Sequence, residues 1–125
     1  MYDSQREDWI KYPVNVKIGT GVTSIMDGAF IGCSELFVVI IPDTVTSLGD
    51  AIFRNCTKLE IVSYTRYSDK NHLPDNISSI GNYAFDGCSK LRNLVIHPAI
   101  TSIGLSAFSN CTVLTNLIFK DMGTL

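Results

Sequence analysis

A unit of 23 residues, written four times, constrains this chain more than any other feature. The first full copy runs from Val22 to Thr44, and others begin at Val45, Ile77 and Ile100. Cys33, Cys56, Cys88 and Cys111 mark the copies at separations of 23, 32 and 23, so one copy carries nine extra residues. A unit this short cannot bury its own apolar face, and successive units must stack on one another. The predicted fold class is a solenoid. Residues 1–13 form an N-terminal tail and cap, and a truncated coil spans 14–21. Full coils follow at 22–44, 45–76 with an insertion at 65–73, 77–99 and 100–121, then a remnant at 122–125.

Each full copy has three parts. The first is a short piece with apolar ends and hydroxyls between: Val22-Thr-Ser-Ile25, Val45-Thr-Ser-Leu48, Ile77-Ser-Ser-Ile80 and Ile100-Thr-Ser-Ile103. It predicts a short strand whose Thr and Ser side chains stack from coil to coil. The second holds Ala29-Phe30, Ile52-Phe53, Ala84-Phe85 and Ala107-Phe108, each followed two residues later by Gly32, Asn55, Gly87 or Asn110. Only Gly and Asn fill that column, and both tolerate the left-handed backbone that ends helices. Asp27, Asp50 and Asn82 stand where they would cap a helix N-terminus, and Leu105 breaks that column. The pattern predicts one helical turn per coil, too short to stand alone and held by its Phe in a stack of the others. Gly49, Gly81 and Gly104 precede it, with Met26 as the exception.

The third part is a strand: Leu36-x-x-Val39-x-Ile41, Leu59-x-x-Val62-x-Tyr64, Leu91-x-x-Leu94-x-Ile96 and Leu114-x-x-Leu117-x-Phe119. Val16 and Ile18 supply the same positions in the truncated coil. Strands one repeat apart pair in parallel, ~4.8 Å from each other. Pro42 and Pro74 close two of them, and His97 and Lys120 hold that column in the others.

The pattern Val-Thr-Ser-Ile-Gly-x-x-Ala-Phe-x-x-Cys-x-x-Leu-x-x-Val-x-Ile-Pro resembles the BspA-like leucine-rich repeat over about residues 14–120. The resemblance implies a curved solenoid with parallel strands on the concave side, a short second strand and one helical turn per 23-residue coil. It also implies surface or secreted proteins that bind other proteins, so the expected location is the cell surface or outside the cell. The chain itself opens on a polar stretch with no secretory signal pattern.

Composition narrows the function. Net charge is -2 with both signs scattered, and no basic stripe offers itself to nucleic acid. The longest apolar run, Leu36 to Ile41, is far short of the ~20 residues that a membrane helix needs. The four thiols lie one per coil, in a line that cannot surround a tetrahedral metal. They read as small buried hydrophobes beside Phe30, Phe53, Phe85 and Phe108. The two histidines, His72 and His97, join no nucleophile or phosphate loop. The expectation is a protein without enzymatic activity, cofactor or metal.

Two features point to protein binding. On the outward side of the concave strands, two columns read Asn15, Val38, Ile61, Asn93, Asn116 and Lys17, Ile40, Ser63, Val95, Ile118. Val38, Ile40, Ile61, Val95 and Ile118 make an apolar set where solvent-facing positions are usually polar. β-Propensity alone would also account for them. The insertion adds Arg66, Tyr67 and His72, of which Arg and Tyr are enriched in interface hot spots. The partner is another protein or further copies of the chain. The rival reading is structural. Met122 and Leu125 cover the last coil thinly, so the chain would be a piece of a longer array or a particle protein that self-associates through that edge.

Overall fold

A computed structural model describes residues 14–64 and 71–119, apart from the side chains of 118 and 119. Among these residues eight strands follow one another: β1 (Val14–Lys17), β2 (Leu36–Ile40), β3 (Ser47–Leu48), β4 (Ile61–Ser63), β5 (Ser79–Ile80), β6 (Asn93–Ile96), β7 (Ser102–Ile103) and β8 (Asn116–Phe119). Strands one repeat apart pair in parallel, as stacking of identical units requires. The concave sheet has the orders β1-β2-β4 and β6-β8, and a second ribbon has the order β3-β5-β7. Its register sets Val38 beside Ile61 and Asn93 beside Asn116. The second strand is only two residues long and is absent from the first full coil, at Val22 to Ile25. Among the described residues its hydroxyls bond backbone carbonyls rather than one another. Ser78 Oγ and Thr101 Oγ1 donate to the carbonyls of Thr46 and Ser78, each one coil earlier.

The core lies between these ribbons and the convex segments. Leu36, Val39, Ile41, Val45, Leu48, Phe53, Leu59, Val62, Leu91 and Leu94 are buried in one cluster. The Phe rings stack through it, with centroids 5.6, 5.4 and 5.4 Å apart from Phe30 to Phe53 to Phe85 to Phe108. Such pairs add about 0.5–1.5 kcal/mol each beyond their burial.

The convex segments are not helical: among the described residues there is no α-helix. Gly32, Asn55, Gly87 and Asn110 do take positive φ, but so do Gly28, Ala51, Tyr83 and Ser106 four residues earlier. Two left-handed residues per segment prevent a helix and lay the chain out as consecutive turns. Half of the amides close those turns, as Cys56 to the Phe53 carbonyl and Asp86 to the Tyr83 carbonyl. The others reach the next coil: Phe30 to Ile52, Phe53 to Ala84 and Phe85 to Ala107, at 2.8–3.0 Å. The aspartate column therefore has a different task from capping a helix. Asp27, Asp50 and Asn82 each accept, through Oδ1, the amide of the same column one coil on, at Asp50, Asn82 and Leu105.

That stacking also explains the glycines. A Cβ on Gly81 would lie 2.6 Å from the Asp50 amide nitrogen, and one on Gly104 would lie 2.4 Å from that of Asn82. Met26 fills the column in the first full coil, where no convex segment precedes it among the described residues, and it is exposed.

One register assignment changes. Tyr64 was expected in the inward column beside Ile41, but it stands 48% exposed, and Leu73 is fully buried in that place. Leu73-Pro74 thus matches Ile41-Pro42, and the nine additional residues run from 64 to 72. In the adjoining proline column His97 follows Pro42 and Pro74; it is buried, and its Nε2 donates to the Pro74 carbonyl at 2.7 Å.

Candidate functional site

The outward face of the concave sheet and the insertion that borders it form the candidate site. Strand alternation turns Val39 and Ile41 inward and Val38 and Ile40 outward. Outward, however, does not mean exposed. Val38 retains 3% of its accessible surface and Val95 retains 7%, so these two expected contacts are buried. Ile40 and Ile61 are half-buried and lie diagonal to each other across the β2–β4 pair. The Ile118 side chain, Arg66 and Tyr67 lie outside the described residues.

The apolar set is divided. Between β4 and β6 the sheet is interrupted by Asn71 and His72, which wedge into the gap. The Asn71 amide group does the work of a strand's backbone. Its Oδ1 accepts from the Val62 amide at 3.1 Å, and its Nδ2 donates to the Glu60 and Asn93 carbonyls at 2.8 and 2.9 Å. The Asn71 backbone amide in turn donates to Asn93 Oδ1 at 2.8 Å, and its carbonyl accepts from the Val95 amide. His72 bridges to Val95 in parallel register, and its carbonyl accepts from the Tyr64 amide at 2.8 Å. Asn71 is buried. The insertion is thus built into the sheet at its C-terminal end. It separates Val38, Ile40 and Ile61 from Val95.

At the rim, where the strands turn over Pro42 and Pro74, Tyr64 and His72 meet edge to face at 5.3 Å. With Asp43 and Asp75 they line an open cavity of about 250 Å³. A second hollow of about 370 Å³ opens at the outer end of the first coil and is lined by Val14, Val16, Phe30, Cys33 and Leu36 among others. Residues 1–13, expected to form the tail and cap at that end, lie outside the described residues.

The cysteines divide by depth. Cys56 and Cys88 are buried, Cys111 is half-buried and Cys33 is exposed, and all are free thiols. Cys56, Cys88 and Cys111 donate to the carbonyls of Phe30, Phe53 and Phe85, one coil earlier, at 3.1–3.2 Å. Burial, reinforced by the neighbouring thiol, pushes Cys56 up to about 12. Burial likewise pushes Cys111 up to about 11 and raises Cys88 further. Thiols held this firmly protonated are poor nucleophiles and poor metal ligands. Among the described residues, no three His, Cys, Asp or Glu side chains gather as a metal site, and no helix is long and apolar enough to cross a membrane.

The sequence profile of the BspA type leucine-rich repeat region matches residues 12–123 in six copies. The chain belongs to the BspA-type leucine-rich repeat family. Its fold is shared with a leucine-rich repeat protein from Bacteroides ovatus ATCC 8483. That protein is 28% identical with a TM-score of 0.65, over 86% of this chain and 34% of its own. The T. pallidum leucine-rich repeat protein is 23% identical with a TM-score of 0.61, over 82% of this chain and 56% of its own. This BspA-type chain therefore spans about a third and somewhat over half of those two proteins. No curated protein matches it significantly. BspA-type repeats share the property of all stacked coils: they turn one residue column per strand into a continuous surface suited to contact with another protein.

Proposed function

We propose that this BspA-type module is a non-catalytic protein-binding scaffold of the adhesin kind, which holds its partner against the concave sheet. The observation that carries this reading is the pair Ile40 and Ile61. Nothing in the packing of the core requires these side chains to be large and apolar, since they point away from it and stay half-exposed. Val38, paired with Ile61, supports this surface as a buried neighbour, and Val95 lies buried beyond the insertion. His72 and Tyr64 extend it to the rim, and Ile118, Arg66 and Tyr67 are included on the strength of their place in the sequence. A central apolar pair with an aromatic and polar surround is the usual anatomy of a protein contact.

The test is affinity capture followed by reconstitution. Wild-type protein, the double variant Ile40→Lys/Ile61→Lys and a convex-side control, Ile31→Lys at an exposed position, are used as baits, and the captured protein is then purified and titrated. The reading expects the control to bind as wild type and the double variant to lose at least tenfold in affinity, about 1.4 kcal/mol. Equal binding by all three baits removes the concave sheet from the mechanism.

A further inference from the structure

The rim cavity has a chemistry that the apolar pair does not explain. Asp43 and Asp75 occupy the same position in successive coils, one residue after Pro42 and Pro74. The two turns are tied together, because Asn76 Nδ2 donates to the Asp43 carbonyl at 2.9 Å. Both aspartates are exposed, and neither carboxylate has an ion pair or hydrogen bond among the described residues. Four of the five other carboxylates among the described residues are occupied, Glu60 being the exception: Asp27 and Asp50 hold amides of the next coil, Asp86 holds Arg54, and Glu35 holds Lys58.

The cavity is more than this acidic pair. Its remaining wall is aromatic, with Tyr64 48% exposed and set at 76° to the His72 ring. His72 is held there by the sheet through its backbone and by its Nδ1 against the Leu73 carbonyl at 3.1 Å. The cavity also continues the concave surface, since Ile40 is three residues before Asp43, and Tyr64 directly follows the end of β4.

We propose that this cavity receives an arginine side chain of the protein partner. The assignment rests on the concave-sheet reading above and gives it a specificity element. A guanidinium fits on three counts. It is planar and presents a fork of N–H donors to carboxylates, it stacks on aromatic faces, and it is less strongly hydrated than an ammonium group. The partner segment then carries an apolar residue for Ile40 and Ile61 and an arginine for the rim.

The cavity can be tested without knowing the partner. N-acetyl-arginine amide is titrated into the isotope-labelled protein and followed by amide chemical shifts, with N-acetyl-lysine amide and N-acetyl-leucine amide as comparisons. Saturable shifts are expected at Asp43, Tyr64, His72 and Asp75, with affinity of millimolar order for so small a ligand. Asp43→Asn/Asp75→Asn should weaken binding at least tenfold, Tyr64→Ala should weaken it severalfold, and about 0.5 M salt should suppress it. Thermal melts of both variants confirm that the fold persists. No saturation, or saturation unchanged in the double aspartate variant, overturns the proposal. Equal binding of the lysine derivative overturns the choice of guanidinium. None of these failures touches the Ile40/Ile61 surface, which is judged by the capture experiment alone.

Discussion

Asn71 Oδ1 accepts the Val62 amide hydrogen at 3.1 Å, a bond that elsewhere in the sheet belongs to the backbone of a neighbouring strand. One side chain thereby bridges the two parts of the sheet that the insertion divides. The site is buried, so each of its three bonds has no water to replace it.

Asn71→Ala should therefore be costly. It strands one donor and two acceptors, and buried groups left unpaired cost about 1–3 kcal/mol each. A loss of about 3 kcal/mol in urea unfolding is expected. A loss below about 0.5 kcal/mol would mean that the backbone closes the gap unaided.

The glycine column gives a paired prediction. Gly81→Ala forces a Cβ into backbone atoms of Gly49 and Asp50 at 2.6 Å, and the coils must separate to admit it. Overpacking of this kind costs about 1–3 kcal/mol. Gly21→Ala meets nothing within 4 Å and should leave stability unchanged or slightly raised. Equal melting temperatures for the two variants would contradict the close approach of the coils.

Lysine scanning should separate the two outward columns. Val38→Lys places an ammonium group in a buried position and should destabilise by about 3 kcal/mol. Ile40→Lys keeps its charge at the surface and should melt within a few degrees of wild type. If both unfold the protein alike, the difference in burial is not real.

Thiol chemistry should follow depth and pH. At pH 8, Cys33 should react with a disulfide reagent at once, and Cys56 and Cys88 only on unfolding. The Cys56 and Cys111 thiols are raised from 9.0 to about 12 and about 11, so the folded chain holds their protons more tightly than the unfolded chain. The stability they contribute is whole below pH 9 and is lost as pH rises through 11 to 12. Urea midpoints measured from pH 8 to 11 should fall, and Cys56→Ala should flatten the decline. An unaltered profile in that variant would rule the thiol out as its cause.

Much of the architecture is legible because stacking ties each residue to its neighbour one period away. The spacing of Cys33, Cys56, Cys88 and Cys111 sets a register, and the parallel pairing of Val38 with Ile61 and of Asn93 with Asn116 follows from it. The convex conformation is less legible. Gly32, Asn55, Gly87 and Asn110 signal a left-handed residue, but a helix end and a chain of turns both use one. The second left-handed column, Gly28, Ala51, Tyr83 and Ser106, has Gly only once and so leaves no compositional trace. The exchange of Tyr64 for Leu73 had a signal in Pro74, since Leu73-Pro74 repeats Ile41-Pro42. The role of Asn71 had none: a lone Asn in a polar insertion looks like any loop residue. Alternation gave the direction of Val38 and Val95, but it carries no information on what lies over them.

The nine amide–carbonyl bonds that join successive convex segments all point the same way, from Gly28, Phe30 and Gly32 in the first full coil to Gly87 and its acceptor Ser109 at the last interface. Each donor belongs to the earlier coil and each acceptor to the later one. In the concave sheet the bonds along a strand alternate in direction and their dipoles largely cancel. Along the convex side they add, as in a helix. The solenoid thus carries an electric axis down its back, negative towards Asp27 and positive towards Ser109, although no helix is there to supply it.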